Sequence, residues 1–210
     1  IVRGMAGSGY VLIDEAELAD PRRCGAFRRS AGVAGTCGRW VVAHEVAHQW
    51  FRWSAFARAG PAYGALWEGT ADYLAYSWWR AVAGDDDAAD LAGQLFGGRL
   101  DLAPGFAATH APVAVPSGMT DGEGRALVYG RSSVAWLAVE RAAGRATTEE
   151  VLAAVFTAGL RSTATGRALA AEALEAAAAV DAGAAEVLRR WWTATPLRPA
   201  AAEWSPATAG

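Results

Sequence analysis

Apolar residues recur along most of the chain at the three- and four-residue spacing of amphipathic helices, and this pattern predicts a mainly helical fold. The clearest predicted helices span residues 60–83 and 123–143 and the Ala-rich stretch 147–192. Near the amino terminus, the β-branched run Tyr10–Ile13 follows Gly-rich turns and favours a strand. The pattern therefore indicates an α+β domain that is mostly helical, with a small amino-terminal sheet.

The length and composition suit one domain with a buried core, since the chain has 210 residues of which 53% are hydrophobic. We assign residues 1–196 to this domain and the Pro- and Ala-rich residues 197–210 to a linker or frayed end. The sequence begins at Ile1 without a start Met or signal sequence, which suggests a piece of a longer protein.

Charge and hydropathy argue against nucleic-acid binding and against a membrane-spanning segment. The net charge is −3 and all 19 basic residues are arginine, so no basic face for nucleic acid is expected. No apolar run reaches the roughly 18 residues that a membrane-spanning helix needs. The oligomeric state cannot be predicted from these features.

One apolar stretch, residues 41–51, contains the pattern His44-Glu45-x-x-His48. On a helix the two imidazoles lie one turn apart on the same face, where both can bind one zinc ion. Glu45 is offset by one position, so its carboxylate can accept a proton from water at the open side of the ion without being a ligand. Because apolar residues flank the motif, we expect its helix to run through the middle of the domain.

A second apolar stretch, residues 65–74, carries the candidate third ligand, Glu68. Two histidines and a glutamate leave one tetrahedral position of a zinc ion for water, which is the catalytic arrangement and not the structural one. One turn later, Asp72 either accepts a hydrogen bond from the free ring nitrogen of a ligand histidine or is an ordinary solvated acid. The alternative for the whole pattern is two core histidines and an unrelated glutamate.

The stretches His44–Phe51 and Trp67–Leu74 resemble the gluzincin metallopeptidases, specifically the catalytic domain of the aminopeptidase N family. The resemblance implies a thermolysin-like fold, one Zn²⁺ ion and hydrolysis of peptide substrates. Two departures are visible. Trp67 replaces the family's Asn, and the spacer 49–67 is one residue longer than usual. We expect a loop to absorb this residue, because the helix that bears Glu68 sets its direction.

Tyr129, followed two residues later by Arg131, is similar to the family segment whose tyrosine hydroxyl stabilises the oxyanion. The alternative is an ordinary core or surface tyrosine. At the position where the family has the glutamate that binds the substrate's amino group, this chain has Ala6. Aminopeptidase and endopeptidase action therefore both remain open.

Two other functions are compatible with these residues. The first is a non-catalytic zinc-binding or interaction domain of the same fold, and the second is hydrolysis of a non-peptide bond. The presence of Glu45 argues against the first, because a structural zinc ion has no use for a base that is not a ligand.

Three further residues have no clear role. Cys24 and Cys37 have a spacing compatible with a disulfide if the chain is exported, and free thiols are the alternative in a reducing compartment. This pair is the only indication of location, and it leans towards an extracytoplasmic one. His110 lies in a predicted Gly- and Pro-rich loop, residues 97–123, where it is an oxyanion donor or an exposed residue without function.

Overall fold

The computed structural model describes the backbone of residues 4–7, 10–13, 37–198 and 200–205, and the side chains from residue 39 onward except 51–57 within these ranges. The described residues are mainly helical, which confirms the predicted helical class. The backbone segments Gly4–Gly7 (β1) and Tyr10–Ile13 (β2) pair in antiparallel fashion, with Ala6 opposite Val11. The thermolysin-like architecture stays a prediction.

Helices dominate the described chain from Cys37 onward. Their bounds are α1 Cys37–Ala59, α2 Gly69–Ala83, α3 Asp85–Ala92, α4 Gly98–Leu100, α5 Pro104–Thr109, α6 Asp121–Gly124, α7 Ser132–Ala143, α8 Arg145–Arg161, α9 Gly166–Val180, α10 Ala182–Thr193 and α11 Ala201–Trp204. Short 3₁₀ turns occupy Gly60–Ala62 and Pro112–Ala114, and π-helical segments occupy Gly64–Glu68, Gly93–Gly97 and Arg125–Arg131. Within the described ranges, no helix is both long enough and apolar enough to cross a membrane.

The central helix of the described structure is α7, in which every residue from Ser132 to Val139 is buried. It packs against α2 on one side and α10 on another. The indole of Trp136 stacks on the ring of Tyr73 from α2, with centroids 5.9 Å apart, and meets Trp192 of α10 edge to face at the same distance. This aromatic packing holds the helix that follows Glu68.

The expectation that α1 is the central helix was wrong. This helix packs against α2 and β1, but it leaves Val46 48% exposed and Trp50 63% exposed. These two side chains line an open apolar groove of about 760 Å³ together with Trp78 and Val82 of α2. Apolar residues surround the motif in sequence, yet the described neighbours of α1 cover only part of its surface.

A close contact between backbones fixes where α2 begins. A Cβ atom placed on Gly69 would lie 2.6 Å from the carbonyl carbon of Ser132, a distance that no side chain tolerates. Glycine at this position therefore lets the first turn of α2 approach the first turn of α7. Glu68, the residue before Gly69, is held at this junction.

The described part of the stretch 197–210 packs onto the domain, although the sequence predicted a linker or frayed end. Leu197 and Trp204 are both buried, and the N–H of Leu197 donates to the carbonyl of Ala108 at 2.8 Å. The Trp204 ring fills the space above Gly97. Two large apolar side chains are enough to anchor this Pro- and Ala-rich segment.

Candidate metal centre

The structure brings the three predicted ligands together. His44 and His48 project from α1 towards Glu68, the last residue of the π-helical segment Gly64–Glu68. The Nε2 atoms of the two histidines are 3.0 Å apart, and Glu68 Oε2 lies 3.1 Å from His44 Nε2 and 3.4 Å from His48 Nε2. All three side chains are largely buried. This group could hold a metal ion.

The spacing and chemistry of these atoms fit zinc. Ligand atoms bound at about 2.0–2.1 Å in tetrahedral directions are separated by about 3.3 Å, close to the three distances in the structure. Two imidazole nitrogens and a carboxylate oxygen are also ligand types that zinc accepts. Three electron-rich atoms this close together need a positive centre among them, supplied by a cation or a proton.

Asp72 orients His44. Its Oδ1 atom lies 2.8 Å from His44 Nδ1, and the carboxylate is completely buried. When the Nδ1–H group donates a hydrogen bond to Asp72, Nε2 keeps its lone pair and faces Glu68 and His48. The aspartate thus fixes both the ring orientation and the tautomer that a metal ligand requires.

Three further side chains surround Asp72. Arg99 forms an ion pair with Oδ2, Ser133 Oγ donates to the same oxygen at 3.0 Å, and Trp40 Nε1 donates to Oδ1 at 3.3 Å. Burial raises the pKa of Asp72, but the charges of Arg99 and His44 outweigh it and hold the pKa below its ordinary value. The carboxylate is therefore ionised and fully hydrogen-bonded, as a buried charge must be.

The ligand group itself is strongly coupled. Burial lowers the pKa of His44, but the neighbouring Asp72 and Glu68 carboxylates outweigh it and raise the pKa to about 10. Burial raises the pKa of Glu68, but hydrogen bonds to His44 and His48 lower it to about 2. In the metal-free protein a proton on His44 supplies the positive charge that this group needs.

His48 has a different environment from His44. Its ring lies face to face with the Trp67 indole, with centroids 4.6 Å apart and planes 12° apart. Among the described residues, His48 Nδ1 has no hydrogen-bond partner, and burial lowers the pKa of this imidazole. A neutral His48 is the state that can bind a metal ion.

Glu45 is buried beside the ligand pair, with 8% of its surface exposed. Burial raises the pKa of its carboxyl; the nearby His44 opposes this, and the Glu68 and Asp72 charges add to it. A carboxylate with a raised pKa binds protons more readily, which suits a general base.

Tyr129 lies near the group, in the π-helical segment Arg125–Arg131. Its ring centroid is 6.3 Å from that of His44, and the Arg99 guanidinium carbon lies 5.3 Å from the same tyrosine ring. The charge of Glu68, together with burial, raises the pKa of Tyr129 well above its usual range. The phenol therefore keeps its proton and acts as a hydrogen-bond donor.

Arg131 supports the fold around Tyr129. Its buried guanidinium donates to four backbone carbonyls, those of Ala107, His110, Trp191 and Ala194. These bonds join the segment that carries Tyr129 to α5 and to the carboxyl-terminal end of α10. The described contacts of Arg131 are those of a structural residue.

Other residues singled out in the sequence lie apart from this group or outside the description. The His110 ring stacks on Phe106 at 3.9 Å and contacts Thr109. Ala6 is described through its backbone in β1, which packs against α1. The predictions for Cys24 and the Cys37 thiol lie outside the described residues and side chains.

Sequence reasoning missed Arg99 and Ser133, which both bind Asp72. Arg99 lies in the region predicted as a loop from 97 to 123, where the structure has the short helix α4. The Gly-rich sequence around Arg99 carries no signal of helix or of burial. Ser133 is one of several small polar residues at the start of α7, and only tertiary packing distinguishes it.

The resemblance to the gluzincins remains a prediction that rests on the residues that carry it. Of those residues, His44, His48 and Glu68 form a group that could hold a metal ion, the Tyr129 ring lies 6.3 Å from that of His44, and Glu45 is buried next to His44 in the chain. No model of a known protein family, no curated protein and no solved structure matches this chain.

Proposed function

We propose that this protein is a zinc-dependent metallopeptidase that hydrolyses peptide bonds with a water molecule as the nucleophile. The observation that carries the proposal is the spacing of 3.0–3.4 Å among His44 Nε2, His48 Nε2 and Glu68 Oε2, the edge lengths of a zinc tetrahedron. Glu45 lies beside this group as an acid that is not one of its ligands. Tyr129 supplies a protonated donor near the same point.

His44, His48 and Glu68 would hold the zinc ion. A bound Zn²⁺ lowers the pKa of a water molecule towards about 7 and polarises the scissile carbonyl. Asp72 keeps the His44 lone pair directed at the ion through its 2.8 Å bond to Nδ1. The ionised Glu68 contributes one negative charge, so the charge of the ion is only partly neutralised.

Glu45 and Tyr129 carry out the proton transfer and the stabilisation of charge. Glu45 accepts the proton of the attacking water and then passes it to the leaving amine, and its raised pKa favours the first of these steps. Tyr129 donates a hydrogen bond to the oxyanion that forms from the carbonyl oxygen. The ring contact with Arg99 holds the tyrosine in place for this.

The activity is aminopeptidase-like in its catalytic residues but lacks the family's usual anchor for the amino group, because Ala6 occupies that position. Neither exopeptidase nor endopeptidase action is favoured by the described side chains. A digest of a peptide library with free or blocked amino termini distinguishes them. Cleavage of blocked peptides assigns endopeptidase action, and cleavage of free peptides alone assigns a different amine anchor.

The deciding experiment compares wild-type protein with Glu45→Gln. Wild type should bind about one zinc ion per chain, and Glu45→Gln should keep the zinc while hydrolysis falls by about 10²–10⁴-fold, the usual contribution of a general base. Glu149→Gln, at an exposed glutamate on α8, is the matched control and should leave both unchanged. Turnover that is unaffected by Glu45→Gln would refute the mechanism.

Metal binding is tested separately with His48→Ala. Removing one of three protein ligands should lower zinc affinity by several orders of magnitude, as measured by competition with a chromogenic chelator. Zinc that stays bound with unchanged affinity would remove the site assignment. A protein that binds zinc through these residues yet hydrolyses no peptide would instead be the non-catalytic zinc domain.

A further inference from the structure

Trp67 stands where the aminopeptidase N family has Asn, and its side chain contacts a zinc ligand. The two histidines of the group are oriented by different means. His44 is held by the hydrogen bond from Nδ1 to Asp72 at 2.8 Å. His48 Nδ1 is buried without a hydrogen-bond partner in the described part of the chain. The described polar contacts of His48 are all at Nε2, so no second hydrogen bond at Nδ1 fixes the plane of its ring.

The Trp67 indole is suited to do so. It covers one face of the His48 ring, with centroids 4.6 Å apart and an angle of 12° between planes, while the His44 ring meets His48 edge-on at 4.6 Å and 88°. Rotation of the imidazole about its Cβ–Cγ bond would drive ring atoms into the indole. Nε2 is thereby kept directed at Glu68 Oε2, 3.4 Å away.

Trp67 is itself firmly held. It is 5% exposed and directly precedes the ligand Glu68 in the chain. On its outer side it shares a cavity of about 20 Å³ with Val155 of α8 and with Leu169 and Ala173 of α9. The indole thus lies between the carboxyl-terminal helices and the metal group, with little room to move.

We propose that Trp67 is the positioning residue of His48: it fixes the ring plane by stacking, where a hydrogen bond to Asp72 does this for His44. The inference rests on the metal site of the proposed function. The electron-rich indole face also attracts an imidazole that becomes more positive when its Nε2 binds a cation. Stacking therefore favours the metal-bound state over the metal-free state.

The test measures zinc and Co²⁺ affinity, without activity, in wild type, Trp67→Phe and Trp67→Leu. Trp67→Leu should bind both metals about 10–100-fold more weakly, the usual effect of losing a residue that orients a ligand. Trp67→Phe retains an aromatic face and should stay within about threefold of wild type. Trp78→Leu, a 41% exposed tryptophan on α2, is the matched control and should not change affinity.

The visible absorption of bound Co²⁺ separates positioning from general stability. A displaced His48 changes the coordination geometry, so Trp67→Leu should shift or weaken the Co²⁺ bands while Trp67→Phe preserves them. Wild-type affinity and spectrum in folded Trp67→Leu would overturn the inference while leaving the zinc site intact. If Trp67→Leu does not fold, Trp67→Met replaces it under the same criterion. A wild-type protein that binds neither metal would overturn the proposed function itself.

Discussion

Two largely buried clusters in this protein are built from the same kinds of residue. In each, a carboxylate pairs with an arginine, and that arginine lies over a tyrosine ring. Asp72 pairs with Arg99, whose guanidinium is 5.3 Å from the Tyr129 ring centroid. Glu140 pairs with Arg80, whose guanidinium is 5.0 Å from the ring of Tyr76. Both clusters join α2 to neighbouring segments.

The clusters differ in the remaining partner of the carboxylate. Glu140 accepts a hydrogen bond from the hydroxyl of Tyr73 at 2.6 Å, so its described partners are an arginine and a phenol. Asp72 is bonded to His44, whose second nitrogen faces two more ligand atoms. An acid paired with an arginine in the interior therefore indicates only a structural role. What marks a candidate site is the histidine, because it connects the acid to a position that two other candidate ligand atoms also face.

Among the variants that compare the two clusters, Asp72→Asn should have the largest effect on stability and zinc affinity. The change removes one charge of the buried ion pair between Asp72 and Arg99, so the free energy of unfolding should fall by about 3–5 kcal/mol. Zinc affinity should also fall by about 10–100-fold, because His44 loses the acceptor that fixes its tautomer. Denaturant unfolding and zinc titration measure the two effects. Unchanged zinc affinity would show that the Asp72 cluster, like the Glu140 cluster, has only a structural role.

Glu140→Gln should produce a smaller loss and only in stability. The variant removes the charge that binds Arg80 and the Tyr73 hydroxyl, so the free energy of unfolding should fall by about 1.5–3 kcal/mol. Zinc affinity should stay within twofold of wild type. A tenfold loss of affinity would show that the two clusters are coupled through α2, and the distinction between them would fail.

The ligand pair could be predicted from the sequence because its geometry is local. Residues four apart on a helix share a face whatever surrounds them, so His44 and His48 needed no tertiary information. Glu68 was proposed from its apolar sequence context and then from the family resemblance, and its direction depends on the backbone of residues 64–68. Glu68 ends a π-helical segment, which sequence periodicity did not predict. Where the extra spacer residue is accommodated stays a prediction.

Features that depend on packing between distant segments were not predictable. Asp72 and Arg99 meet only because α4 lies against the segment that carries Tyr129. The sequence around Arg99 gives neither helical period nor apolar context. In the same way, the apolar residues around the zinc motif predicted a central α1, while the observed centre is α7. An apolar sequence shows that a helix has surface to bury. It does not show how many neighbouring helices cover that surface, because this depends on the whole fold.

The smallest effect is expected in a pH titration of the metal-free protein, which compares the same two clusters. The pKa of His44 is raised from 6.5 to about 10, against the effect of burial, by Asp72 and Glu68. A folded-state pKa above the unfolded value gives stability that is complete below pH 6.5 and is lost as the pH rises through 10. We expect the free energy of unfolding of chelator-treated protein to fall as the pH rises across this window.

The Glu140 cluster should contribute little to this slope below about pH 9. Burial and the Glu140 charge raise the pKa of Tyr73, and Glu140 raises that of Arg80 despite burial, so both groups keep their protons in the folded state. In the unfolded chain Tyr73 loses its proton only at about pH 10. The slope should therefore persist in Glu140→Gln and disappear in His44→Gln, when unfolding is followed by circular dichroism at each pH. An equal slope in the two variants would mean that His44 is not the titrating group. The Asp72 cluster would then lose the property that distinguishes it from the Glu140 cluster, which is a histidine that titrates. This property bears on metal binding because a proton and a metal ion compete for the same Nε2 lone pair of His44.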